Sequence, residues 1–209
     1  MKKLVFILIF GTVGIISLFG ILAWMSWQPL SWYSIPDYTN PETVQLADRA
    51  EYRLNEEFHK IRATDDVWRL RIPDEALNAW LSGRLEKWLT HDTEFEIPDD
   101  IQGLQVHMTH DGLWIAAMVE IDDSTPRPVA VKLSVLAEDG IGSFKTLAIR
   151  FGQIPLPAFI INEVIQELPN GVTDFEARIP LTDDREVEIK EIDFEEGAVV
   201  LTCQTHLPQ

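Results

Sequence analysis

The sequence predicts an α+β protein in which an N-terminal transmembrane helix precedes a curved antiparallel sheet packed on amphipathic helices. Three observations predict this fold class. Residues 4–25 form a charge-free apolar run, three later segments repeat apolar residues at helical spacing, and other segments alternate apolar and polar residues around glycine turns. We therefore expect an anchor at 1–27, a stalk rich in proline and aromatic residues at 28–40, and an extracytoplasmic domain at 41–209.

The apolar run determines where the rest of the chain works. As a helix, its 22 residues span about 33 Å, close to the thickness of a bilayer's hydrocarbon core. Lys2 and Lys3 precede the run and no Lys or Arg lies between residues 28 and 48, so the positive-inside bias leaves the N-terminus in the cytoplasm. A cleaved signal peptide is the alternative, but its apolar run is shorter and ends at small residues, whereas Trp24 and Met25 stand here.

Charge and cysteine content narrow the classes of function. Outside the membrane the chain has 15 basic and 34 acidic side chains, a net charge of −19. Such a surface repels nucleic acid and anionic headgroups, although acidity also simply favours solubility. Cys203 is the only cysteine, which excludes an internal disulfide and a cysteine-rich metal site, and its place in an alternating strand predicts burial.

Local signals define three helices after the anchor. Asn40-Pro41 predicts the start of the first, with Asn as the cap and Pro at the first helical position. A strand at 67–72 leads to Pro73-Asp74-Glu75, which predicts the second helix, and Pro155-Leu156-Pro157 predicts the third. The apolar face of the first helix comprises Val44, Ala47, Leu54, Phe58 and Ile61.

Three hairpins account for the predicted sheet. They cover 101–121 with a turn at Asp111-Gly112, 129–151 with a turn at Asp139-Gly140, and 187–205 with a turn at 195–197. The alternation slips between residues 189 and 192, which indicates a bulge.

The two halves of the domain also share a spacing. Pro73, Asn78 and Gly112 are separated almost as Pro157, Asn162 and Gly197 are. This repetition suggests an internal duplication of a unit made of a strand, a helix and a hairpin; the alternative explanation is chance spacing.

The segments around the second and third helices resemble a known family. The run Ala76-Leu77-Asn78-Ala79-Trp80-Leu81 after a strand, and Gly152-Gln153-Ile154-Pro155-Leu156-Pro157 before a helix, resemble the YpmS-like bacterial envelope proteins. That resemblance implies a single-pass protein of the bacterial cytoplasmic (inner) membrane, with a long antiparallel sheet curling around a helix. The implied shape is similar to tubular lipid-binding domains.

No catalytic signature occurs, so the sequence predicts no enzyme, no cofactor and no metal site. His107 and His110 lie three apart on a strand and share a metal only if the turn begins early. Glu56 and His59 match half of a dimetal carboxylate site. Capping or solubility is expected for the acidic pairs Asp65-Asp66, Asp99-Asp100, Asp122-Asp123 and Asp183-Asp184.

The expected function is the non-enzymatic binding or transfer of a lipid-like apolar ligand by a membrane-anchored envelope protein. The candidate apolar groove comprises Leu77, Trp80, Leu81, Phe159, Ile160 and Val164, which form core instead if the sheet closes over them. Asn78 and Asn162 are expected to bond the exposed backbone of an adjoining strand. The alternative is a module that docks an envelope protein through an edge strand or its acidic face; a carboxylate-based hydrolase ranks third.

Overall fold

A computed structural model describes residues 2–63, 66–86, 97–120, 125–138, 140–167, 174–181 and 183–206. Within these ranges, the side chains of residues 2–9, 162 and 164–167 are not described. The described chain forms an apolar N-terminal helix followed by an α+β domain with antiparallel sheets, which confirms the predicted fold class at that level.

The first helix, α1, extends over Lys2–Trp27. Its stretch Phe10–Trp27 is long and apolar enough to cross a membrane, and none of that stretch is buried against the domain. Pro29 follows two residues after the helix ends, where it cannot continue the backbone hydrogen bonding.

The helices of the domain begin where the sequence predicts. In α2 (Pro41–His59), the Asn40 side chain accepts a hydrogen bond of 3.0 Å from the Glu42 N–H, as expected of the cap. The second helix, α3 (Asp74–Gly83), begins with two acidic residues at its positive end, and α4 covers Ala158–Glu167. One expectation is wrong: α2 ends at His59, so Ile61 lies beyond the helix and is 88% exposed instead of packing on the core.

The strands form two antiparallel sheets, where the sequence predicted one curved sheet. A four-stranded sheet has the order β1-β10-β9-β8, and a six-stranded sheet has the order β2-β3-β4-β5-β6, with β7 also paired to β5. β1 leads directly into α3, and it pairs with β10 of the C-terminal hairpin. The bounds are β1 Val67–Pro73, β2 Ile101–Thr109, β3 Gly112–Val119, β4 Arg127–Glu138, β5 Ile141–Phe151, β6 Ile154–Pro155, β7 Asp174–Glu176, β8 Arg178–Pro180, β9 Glu186–Glu195 and β10 Ala198–His206.

Two apolar clusters hold the sheets and helices together. One contains Trp68, Leu70, Val187 and Cys203, against which Leu54 and Phe58 of α2 pack. The other contains Val106 and Met108 of β2 and Val199 of β10, so it joins the two sheets. Cys203 is fully buried as predicted, and burial raises its pKa to about 12.

The C-terminal hairpin contains the predicted irregularity. Thr202 pairs with Glu191 and Cys203 pairs with Ile189, so Lys190 is the extra residue of a bulge. Strand, helix and hairpin do follow one another in both halves, although β7 and β8 lie between α4 and the second hairpin. The duplication therefore stays a prediction.

Candidate ligand-binding groove

The predicted stalk lies against the domain. We call residues 28–40 the docked segment. The backbone N–H of Gln153, in the turn between β5 and β6, donates to the carbonyl of Met25 in the last turn of α1, at 3.0 Å. The guanidinium of Arg127 lies 4.5 Å from the centre of the Trp27 ring. The end of α1 is therefore attached to one corner of the six-stranded sheet.

Two aromatic residues attach the docked segment to the next part of that sheet. The Tyr33 hydroxyl donates to the Gly103 carbonyl at 2.7 Å, and the ring of Trp32 stacks on that of His107 with 5.1 Å between the ring centres. Burial raises the pKa of Tyr33 to about 12, against a smaller lowering effect of a hydrogen bond to the Met118 backbone. Gly103 has φ +62°, and a Cβ there would come within 2.4 Å of the Ile35 side chain.

A polar cavity of about 280 Å³ lies beneath the docked segment. It is bounded by Trp32 and Pro36 of that segment, the beginnings of α2 and α3, and β2. His107 faces this cavity, with its Nδ1 3.1 Å from Asp74 Oδ2 and its Nε2 3.9 Å from Glu196 Oε1.

A second, apolar cavity of about 150 Å³ lies between α2 and the β1–α3 connection. Leu46 and Glu75 line both cavities, so the two adjoin, and we call them together the α2 groove. The walls of the second cavity are Leu46, Ala50, Leu54, Leu70, Ile72, Pro73 and Ala76, with Arg49, Arg53, Arg71 and Glu75 among its lining. Of these arginines, Arg71 donates to Glu195 at 2.9 Å.

This arrangement combines apolar surface with charges of both signs, since the groove is lined by three arginines and by Asp74 and Glu75. Arg49 and Arg53 are four residues apart on α2, which puts them on the same side of the helix. Arginine hydrogen bonds carboxylates and phosphates in a bidentate manner, and the apolar walls of the second cavity offer a surface for a small apolar group. Among the described residues, no three His, Cys, Asp or Glu side chains are placed to hold a metal ion.

The residues of the predicted apolar groove divide between two regions. Leu77 and Leu81 pack on the buried cluster of Val106, Met108 and Val199, so these two residues belong to the core, the alternative to a groove wall. Trp80 is half-buried on the same helix. Phe159 is 70% exposed and Ile160 half-buried on α4, which packs on β5. The side chain of Val164 lies outside the described residues.

Asn78 hydrogen bonds the exposed backbone of a neighbouring strand, as its position predicted. Its Nδ2 donates to the Val106 carbonyl at 2.8 Å, and the Val106 N–H donates to Asn78 Oδ1 at 2.7 Å. Because β2 lies at the edge of the sheet as the described strands form it, this amide satisfies backbone groups that no described strand pairs. The side chain of Asn162 is outside the described residues.

The histidines and acidic pairs that the sequence singled out lie in turns or in contacts with neighbouring residues. His110 Nδ1 lies 3.6 Å from Glu196 Oε2, and His59 Nδ1 contacts the Asn55 carbonyl on the same helix as Glu56. Asp99 and Asp100 lie in the turn before β2, and Asp183 pairs with Arg185 at 2.7 Å. Asp66 makes a turn with Ala63, whereas Asp65, Asp122 and Asp123 lie outside the described residues.

Sequence reasoning missed the arginines of the α2 groove. The available signal was the spacing of Arg49 and Arg53, two cations one turn apart in a helix that has five acidic residues. Arg71 could not have been added to that pair, because only the fold brings β1 beside α2.

Comparison of the chain with protein-family models, with curated proteins and with solved structures gives no match.

Proposed function

We propose that this is a non-enzymatic, membrane-anchored protein of the bacterial envelope that binds a lipid-like apolar ligand at the α2 groove. In this proposal α1 crosses the cytoplasmic membrane, its N-terminus lies in the cytoplasm and the domain lies outside, as the YpmS-like resemblance implies. The supporting observation is the apolar cavity of about 150 Å³ whose lining includes Arg49, Arg53 and Arg71, in a chain of net charge −17.

The groove suits an amphiphile with an anionic group. Each methylene removed from water contributes about 0.8 kcal/mol, so the end of an acyl chain against Leu46, Leu54 and Ile72 supplies the affinity. Arginine side chains at the same cavity pair with a carboxylate or phosphate. Glu75 lines the same cavity and Glu195 pairs with Arg71, so Arg49 and Arg53 leave the lining with an excess of positive charge. Acidic groups beyond about 8–10 Å oppose binding only weakly, because they are screened at physiological ionic strength.

The position of the groove supports access to lipid. Trp32, which lines the polar cavity, is five residues after the end of α1 at Trp27. Five residues extend at most about 18 Å. The polar half of the groove would therefore lie near the bilayer surface, where amphiphiles enter and leave.

Native mass spectrometry of the full chain, extracted from its membrane in mild detergent, tests this proposal. Ala50→Trp fills the apolar cavity, and Leu136→Trp adds the same ring at an exposed position on β4 as the matched control. We expect wild type and the control to retain an acyl-chain lipid, and Ala50→Trp to lose at least about tenfold of it. A wild type without lipid, or equal lipid in all three proteins, contradicts the proposal.

A second pair of variants tests whether ligand binding needs the arginines of the α2 groove. Arg53→Gln removes a cation from the groove, whereas Arg69→Gln removes an exposed cation from β1 outside the groove lining. Loss of anionic lipid only in Arg53→Gln supports the assigned role of the groove.

A protein partner is the second candidate ligand of the same groove. β1 is an edge strand with β10 as its only neighbour in the described sheet, and it lines the groove. A partner segment could add to this edge and insert one apolar side chain into the cavity, which is small for a lipid site. Capture of one envelope protein by wild type, lost in Ala50→Trp and without bound lipid, would favour this function.

A further inference from the structure

One partly exposed stretch of the domain is mostly apolar and has no charged side chain. Residues 151–162 contain no charged side chain, although 24% of the residues in the chain are charged. This stretch includes the β5–β6 turn and the beginning of α4, where Ala158 and Phe159 are both exposed. Phe159 is one of the most exposed large apolar side chains outside α1. An uncharged exposed patch of this kind marks a site of contact with protein or membrane.

The patch is continuous with the end of α1. Gln153, near its beginning, donates its backbone N–H to the Met25 carbonyl. A Cβ at Gly152 would come within 2.5 Å of that same carbonyl, so the two backbones are in direct contact. Phe159 is six residues from Gln153, which limits its distance from that contact to about 21 Å.

The same corner has two cations for which the described residues provide no carboxylate partner. No ion pair joins Arg127 or Arg150 to an acid within the described part of the chain. The Nε of Arg127 is buried and has no hydrogen-bond partner among the residues that the structure describes, while its guanidinium covers the ring of Trp27. Arginine and tryptophan at this level are typical of the headgroup region, where phosphates accept hydrogen bonds.

We propose that the β5–β6 turn and the first turn of α4 lie in the interface of the bilayer that α1 spans, with Phe159 inserted among the acyl chains and Arg127 at the phosphates. This inference rests on the proposed function only in that α1 crosses the membrane. The occupant of the patch is then the lipid surface itself. Insertion would keep the domain in one orientation, in the manner of an interfacial amphipathic helix.

Depth-dependent quenching tests the insertion. Cys203 is fully buried, so a new surface cysteine takes a fluorescent label selectively. Single cysteines are introduced at Ala158, beside an intact Phe159; at Leu18 in α1; and at Ile141, exposed at the other end of β5. Ile141 is ten residues from Phe151, or about 33 Å along the strand.

The labelled full-length proteins are placed in phosphatidylcholine vesicles whose acyl chains are partly brominated. We expect the labels at residues 18 and 158 to be quenched at least about twofold more than the label at residue 141, because bromine quenches only within the hydrocarbon region. Phe159→Glu, combined with the label at 158, should abolish that extra quenching, whereas Phe175→Glu on β7 should leave it unchanged.

The outcomes separate the two proposals. Strong quenching at residue 18 with equal, weak quenching at 158 and 141 overturns the insertion and leaves the anchor intact. Absence of quenching at residue 18 overturns the anchor and the insertion together. Lipid bound at the α2 groove is measured separately by mass spectrometry, so its presence or absence does not affect this result.

Discussion

Replacement of Gly152 by alanine should detach the end of α1 from the domain. Gly152 has φ +57°, in the left-handed region, and an added Cβ would lie 2.5 Å from the Met25 carbonyl oxygen and 2.6 Å from that of Ser26. Both contacts are with backbone, which cannot rotate away as a side chain would. The substitution therefore has two separate effects: strain at residue 152 and displacement of the helix end.

Gly197 is the control that separates these effects. It has φ +72°, but the nearest atoms to its Cβ are the Asp74 carboxylate oxygens at 3.8 and 3.9 Å, an ordinary contact. Gly197→Ala should therefore cost only the left-handed strain, about 1–2 kcal/mol. Gly152→Ala should cost this amount and about 1 kcal/mol more, because the hydrogen bond between Gln153 and Met25 is lost.

Hydrogen exchange measured by mass spectrometry follows the detachment directly. The Gln153 amide should exchange about fivefold faster in Gly152→Ala than in wild type, the factor that corresponds to about 1 kcal/mol. Gly197→Ala should leave this amide unchanged. Equal losses of unfolding free energy in the two variants, with the same protection at Gln153, would refute the assigned contact.

Three other predictions concern side chains. Tyr33→Phe removes the hydrogen bond to Gly103 and should cost about 1 kcal/mol near neutral pH. Because the folded-state pKa of Tyr33 is raised from 10.0 to about 12, the stability from the neutral phenol is fully present below pH 10 and is lost as the pH rises through about 12, so the advantage of wild type in thermal unfolding should shrink between about pH 10 and about pH 12. Arg185 is only 7% exposed, donates to the carbonyls of His59 and Lys60, and pairs with Asp183. Arg185→Ala should therefore lower the free energy of unfolding, measured by urea titration, by about 3 kcal/mol. A loss below about 0.5 kcal/mol would contradict that role. Cys203, buried and with a pKa of about 12, should not react with a thiol reagent in the folded protein at neutral pH; reaction as fast as in the denatured chain would show that the strand is open.

Features encoded by neighbouring residues were predictable from the sequence. The Asn40 cap, the acidic start of α3 and the bulge at Lys190 each depend on a few adjacent positions, and the structure contains all three. Asn78 was also predictable, since a polar residue in an apolar helical stretch needs a partner and the edge strand β2 offers one.

Features that depend on distant residues were not predictable. The end of α2 illustrates this: periodicity extended the helix to Ile61, but Arg185, more than 120 residues away, bonds the carbonyls at His59 and Lys60 where the helix ends. The docked segment is another case, because its prolines indicate an extended chain but not the surface on which it lies.

The candidate site was only partly accessible for the same reason. Hydrophobicity identified Leu77 and Leu81, yet it cannot distinguish a core stripe from a groove wall, and these residues pack on a buried cluster. The α2 groove needs α2, β1 and α3 to meet, and no local pattern specifies that arrangement.

Both proposals require α1 and the domain to keep one fixed orientation, so that the α2 groove and Phe159 would stay at one place relative to the membrane. Pulsed electron paramagnetic resonance between spin labels at Ser17 in α1 and Leu136 on β4, in lipid nanodiscs, measures this most directly. The attachment at Gln153 and Tyr33 predicts a single narrow distance distribution that broadens in Gly152→Ala. A broad distribution in wild type, as a free tether gives, would contradict the account.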